Sequence, residues 1–183
     1  MDTIEFITQS LAQVQFRLHA TCEGLTQEQV LWRPTSYANN IGFILWHMSR
    51  AEDFVNHRLR SDQPSLWASA GWHQKFNQPV DSPDPGDKMG LQSLPIPDLE
   101  ILLGYSKAVH QQTQELLSTL TSEDLDRVPD PSQPQRVVGS SLRHMITHKN
   151  NHHGQIDYIR GLQDDTWDLP PGTGIVLPTS TAT

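Results

Sequence analysis

At 183 residues, with 36% hydrophobic and 19% charged residues, the chain has the size and balance of one domain around a single core. A formal net charge of -8 excludes non-specific nucleic-acid binding, which needs clustered Lys and Arg. No apolar run approaches bilayer-spanning length, and the acidic start MDTIEFITQS lacks the basic region of a secretory signal. The single cysteine, Cys22, allows no internal disulfide. These features point to a cytoplasmic protein with no membrane partner. A lone cysteine is either a nucleophile or a small buried packing residue, and the second is the commoner case.

Ile4, Ile7, Leu11, Val14 and Leu18 recur at helical spacing and predict a first helix. In LTQEQVLWRP (25–34), Thr26 and Gln29 have capping-box spacing, and Pro34 ends a short helical turn. A second helix is expected from about Asn40 to about Arg60, with Ile41, Ile44, Leu45, Met48, Val55 and Leu59 on one side. Residues 61–97 are rich in Pro, Gly, Ser and Asp and predict a long irregular crossover. Trp67, Trp72, His73 and Phe76 stand out there, as a lid over the helices or as the packing of the crossover itself. A third helix follows Pro97, with Leu99, Leu102, Val109, Leu116 and Leu120 as its stripe. LTSEDLDRVP (120–129) repeats residues 25–34 at Leu, Thr, Glu and Pro, with Thr121 and Asp124 as a looser cap. A fourth helix runs from about Ser140 to Leu162, with Leu142, Met145, Ile146, Ile156 and Ile159. No segment has a period of two, so the fold class is all-α. The repeat suggests two helix–short helix–helix halves packed as a pseudo-twofold four-helix bundle over residues 1–163. Residues 164–183 form a tail rich in Pro, Gly and Thr, anchored at its start by Trp167 and Leu169.

The segment HMITHKNNHH (144–153) holds four of the nine histidines. His148 and His152 are four apart, so their rings fall on one helix face and can converge on one metal ion. They lie on the shoulder of the apolar arc centred near Met145, Lys149 and Ile156. His144 continues the row toward solvent, as a helper or as a surface residue. His153 lies on the opposite shoulder and reads as a bystander. Lys149 is a misfit on the apolar arc that must snorkel or pair with a carboxylate. A pair of imidazoles needs a third ligand. His47, beside the apolar stripe of the second helix, is the best candidate and His57 the weaker one; His19, His73 and His110 have no helical partner at ligand spacing. Three neutral histidines leave coordination positions open, the pattern of a catalytic site. Lys149 stands where the zincin motif has its glutamate, so metalloprotease chemistry is not supported.

NNIGFILWHMSRAEDFVNHRL (39–59) followed by HMITHKNNHHGQIDYIRGL (144–162) resembles the DinB-like superfamily of metalloproteins. The most distinctive phrase is His148, His152, Gly154, Gln155 and Ile156, and the resemblance spans roughly residues 1–163. It implies a four-helix bundle of up-down-down-up topology with a long second crossover. It implies metal ligands at His47, His148 and His152, a divalent ion (nickel or zinc above others), and a homodimer. Characterised members include thiol-dependent transferases and an isomerase that use mycothiol, bacillithiol or related low-molecular-weight thiols.

The expected function is therefore a divalent-metal-dependent enzyme acting on a small-molecule substrate, as a thiol-dependent S-transferase or a hydrolase. The alternative is a stress-associated metal-binding or interaction protein without turnover. No general base is evident. Glu52 and Asp53 follow His47 but not at helical contact spacing, and Tyr158 and Arg160 read as packing residues.

Overall fold

The four periodic stretches are four long helices. The computed structural model describes residues 1–60, 63–81, 83–84 and 86–169. In chain order the helices are α1 (Thr3–Cys22), α2 (Gln27–Leu31), α3 (Ile41–Arg60), α4 (Leu66–Ser69), α5 (Trp72–Lys75), α6 (Lys88–Gln92) and α7 (Leu99–Leu117). A 3-10 turn (Glu123–Asp126) and α8 (Val138–Gln163) complete the set, and no strand occurs among the described residues. Asp2 caps α1 by accepting from the Glu5 amide at 2.8 Å. The capping box of α2 is complete: Thr26 Oγ1 accepts from the Gln29 amide at 3.3 Å, and Gln29 Oε1 accepts from the Thr26 amide at 2.9 Å. Thr26→Ala removes half of this box, and an equilibrium urea titration should register a loss of about 1 kcal/mol. A titration indistinguishable from wild type would mean that the cap contributes nothing.

The long helices form a ring in which α3 packs on α7 and α8, and α1 on α8 and α7. Contact register gives their directions. Asp53 meets Tyr105 and Asn56 meets Thr113, so α3 and α7 run parallel. Gln15 meets Lys149 and Thr21 meets His153, so α1 and α8 are parallel too. Glu52 with Lys149 and Arg58 with Ser141 make α3 and α8 antiparallel. This is the up-down-down-up bundle.

The core has two apolar clusters. One gathers Leu18, Cys22, Ile44, Leu45, Met48, Tyr105, Val109 and Ile156. The other gathers Ile7, Leu11, Val55, Leu59, Leu116, Leu142 and Met145. A buried polar layer of Gln15, Glu52, Asn56, Ser106, Thr113 and Lys149 lies between them in all four helices. The α2 end is tightly packed: a Cβ on Gly42 would lie 2.4 Å from Ile96 Cγ2 and 3.0 Å from Val30 Cγ1.

Parallel α3 and α7 oblige the chain to return the length of a 20-residue helix, about 30 Å, before α7 can begin. The crossover is less irregular than its composition suggests, because α4, α5 and α6 lie within it. Asp53 pins it to the bundle. Its buried carboxylate accepts from the Leu66 and Trp67 amides at 2.9 and 2.8 Å and from the Tyr105 hydroxyl at 2.7 Å. Ser65, the N-cap residue of α4, makes no side-chain cap, so a carboxylate from another helix serves that end. Trp67, Phe76 and Tyr105 pack ring against ring, with centroids 5.2–5.6 Å apart. These aromatics are therefore packing of the crossover.

At the other end, the Arg160 guanidinium donates to the carbonyls of Thr21 and Glu23 and stacks on Trp167 at 4.7 Å. Arg160 is a packing residue as expected, and Leu169 is half-buried. Tyr158 is not: it is 69% exposed, on the outer face of α8. Residues 170–183 of the tail, and residues 61, 62, 82 and 85 of the crossover, lie outside the described residues. No helix among the described residues is long and apolar enough to cross a membrane.

Candidate metal centre

Four-residue spacing on α8 brings the His148 and His152 rings to 4.4 Å between centroids. Antiparallel α3 carries His47 to the same point, 5.0 Å from His148 and 4.8 Å from His152. One ring nitrogen from each of the three lies within 4.8 Å of the others, so the group can hold a metal ion. His47 Nε2 and His148 Nε2 are 3.1 Å apart. Two nitrogens bound tetrahedrally at 2.0–2.1 Å would be about 3.3 Å apart, so the donor set fits such an ion. His152 Nδ1 lies 2.9 Å from Gln155 Oε1. As the donor in that bond, Nδ1 leaves the Nε2 lone pair of His152 for the other two rings.

The charge state suits ligation. Burial, then the fields of His152, His47, His144 and Lys149, lower His148 to about 4. Burial and the field of His152 lower His47 as well. Both rings are therefore neutral at pH 7 and keep a lone pair to donate.

The remaining histidines lie elsewhere. His57 is exposed, with Nδ1 2.6 Å from the Gln63 carbonyl. His73 lies 2.9 Å from the Trp67 carbonyl, and His19 2.8 Å from the Gln15 amide nitrogen. His110 Nδ1 lies 3.6 Å from Glu52. His144 is exposed, its ring 5.5 Å from that of His148 and outside the three-histidine group. His153 is a bystander to that group but not to the fold. It is buried between α8 and α1, 2.9 Å from Thr21 Oγ1.

Lys149 resolves as a buried ion pair. Its ammonium meets Glu52 Oε2 at 2.5 Å and donates to Gln15 Oε1 at 2.9 Å. Burial raises the Glu52 pKa, but Lys149 and His110 more than offset that and hold the carboxyl below its ordinary range. Glu52 also accepts from Thr113, and Asp53 is committed to α4 and Tyr105. Neither carboxylate is therefore available as a general base. Cys22 is fully buried, and burial pushes its thiol up to about 12, which makes it a packing residue.

Two cavities flank the three histidines. His47 and His152 border one of about 520 Å³, with Phe43, Trp46, Phe54 and Leu91 as apolar walls. His148 and His144 border the other, of about 370 Å³. Leu91 and Gln92 of α6 close the apolar cavity from the crossover side, beside Arg50 and Lys88. Sequence reasoning missed this wall, since five-residue α6 carries no readable period. It also left Gln155 without a role, although the three-residue step from His152 was a usable signal.

The crystal structure of a conserved protein from Enterococcus faecalis superposes with a TM-score of 0.76 over 88% of this chain and 97% of that one. At 23% identity, that likeness concerns the fold. No curated protein matches the chain. The profile of the DinB superfamily matches residues 10–156, from the middle of α1 to the turn of α8 just past His152. That span includes His47, His148 and His152, and the chain belongs to the DinB superfamily.

Proposed function

We propose that the chain is a divalent-metal-dependent enzyme, a thiol-dependent S-transferase or a hydrolase, with nickel or zinc held by His47, His148 and His152. The observation that carries this reading is the convergence of three histidines at the edge of an apolar cavity. A divalent ion at such a site supplies a Lewis acid that stabilises the deprotonated form of a bound thiol or water. Gln155 fixes the tautomer of His152. Phe43, Trp46 and Leu91 receive the apolar part of an electrophilic small molecule and shield it from water. His144, exposed and one turn from His148, passes a proton between the site and solvent. A homodimer is part of the proposal on the strength of the family.

Elemental analysis of tag-free protein should find about one divalent ion per chain, and His148→Ala protein should lose it. A metal-free wild type would sink the reading. A panel of low-molecular-weight thiols, assayed with a chloro-dinitro aromatic or an epoxide, then tests turnover. Wild-type rates no higher than those of His47→Ala protein would leave a metal-binding protein without this activity.

A further inference from the structure

Ser140, His144, His148 and His152 form one four-residue row along α8. The row leads from the three histidines into the smaller cavity, where Arg58 of α3 and Arg136, just before α8, lie together with Ser140 and Ser141. The chain has 13 Lys and Arg against 21 Asp and Glu, so two arginines in one small cavity run against its overall charge. They are close enough to oppose each other: burial first, then the Arg136 charge, lowers the Arg58 pKa. The other charged residues of the wall are Lys149 and Glu52, which neutralise each other. Asp130 is the carboxylate whose field reaches Arg58, but its oxygens already accept from Ser132 and Gln133. Arg58 donates to Ser141 Oγ at 2.6 Å, which holds its guanidinium at the cavity wall. Asp130 keeps its charge and offsets part of that of Arg58, but it is not in the cavity wall, which presents two arginines, hydroxyl groups and an imidazole, the chemistry that receives an anion.

We infer that this cavity is an anion subsite for the substrate or thiol cosubstrate, seating a carboxylate or phosphate near Arg58 and Arg136. The inference rests on the reading of the three histidines as the reacting centre. Ser140 and His148 are eight residues apart on α8, about 12 Å along its axis, so the ligand is extended. Its anionic group lies roughly 12 Å or more from the atom that reacts. Phe54, 57% exposed, borders both cavities and marks the ridge that the ligand crosses.

The test is titration of the full chain, as purified, with succinate, inorganic phosphate and neutral succinamide at low ionic strength. Binding is followed by calorimetry, and metal content is assayed in the same samples. Saturable binding of succinate or phosphate, absent for succinamide, is expected, and the preferred anion identifies the group. Arg136→Gln should weaken that binding about tenfold or more. Arg136 is exposed, so the variant tests the subsite without disturbing the core; Arg58→Gln also breaks the bond to Ser141 and serves as a second arm. Anion binding that depends on Arg136 in protein without metal would keep the subsite while the proposed enzyme falls. Absence of saturable anion binding, or an Arg136→Gln affinity equal to wild type, overturns the subsite whatever the metal content.

Discussion

Lys149→Met should destabilise the protein by about 3–5 kcal/mol, because it leaves the Glu52 carboxylate charged and buried without its cation. The side chains of Lys149 and Glu52 are 1% and 2% exposed, so water cannot take the partner's place. Thr113 and His110 remain near the carboxylate, but only His110 can supply a positive charge, and only on protonation. The double variant Lys149→Met with Glu52→Gln should recover most of the loss, since removing both charges is far cheaper than removing one. Denaturant unfolding at pH 7 measures all three proteins. A Lys149→Met protein within about 1 kcal/mol of wild type would show that the pair carries little of the stability. The pH dependence has a definite sign. Folding lowers the Glu52 pKa from its ordinary 4.5, so its contribution is fully present above that value. It is lost as the pH falls from there through the folded value. Wild type should therefore lose stability below about pH 4.5 more steeply than the double variant.

Asp53→Ala should produce the second large effect. Three donors, the Leu66 and Trp67 amides and the Tyr105 hydroxyl, lose their common acceptor. At about 1–3 kcal/mol for each buried group left unsatisfied, a loss of about 3 kcal/mol or more is expected. Part of that loss should be local. The first turn of α4 should open from the bundle, and hydrogen exchange at residues 66 and 67 should accelerate far more than exchange in α8. Tyr105→Phe supplies the comparison, since it removes one donor and leaves the carboxylate on both amides. Burial and the adjacent Asp53 charge keep the Tyr105 phenol protonated, so its loss should cost less and leave α4 in place. Equal acceleration throughout the Asp53→Ala protein would mean that Asp53 supports the whole bundle rather than the crossover in particular.

The long helices were legible because each carries an apolar stripe, and the cap of α2 because Thr26 and Gln29 have the spacing that geometry needs. Their pairing was not legible in periodicity. A stripe says that a helix has a buried side but not which helix covers it, so the parallel course of α3 and α7 came only from the family resemblance. Lys149 announced itself as a misfit, but nothing in the local pattern named Glu52, 97 residues away, as its partner. The convergence of His148 and His152 followed from their spacing. His47 followed from its place beside an apolar stripe and from the resemblance. His153 was harder: α8 packs against both α1 and α3, so its buried arc is broad and takes in that opposite shoulder as well. The crossover's composition concealed its short helices: α4 is held by Asp53 and by the packing of Trp67, while α6 is capped by Asp87, which accepts from the Gly90 amide at 2.9 Å.

The position of α8 has a consequence for the order in which the molecule is completed. As the chain is synthesised, Gln15, His47 and Glu52 are all made long before the helix that meets them. Until Lys149 emerges, Glu52 lacks its ammonium partner, and until His148 and His152 emerge, His47 lacks the other two rings of its group. The Lys149–Glu52 pair and the three-histidine group therefore close in one late event, the docking of α8 against α1 and α3. The nascent protein has neither centre until that docking, and it then acquires both at once.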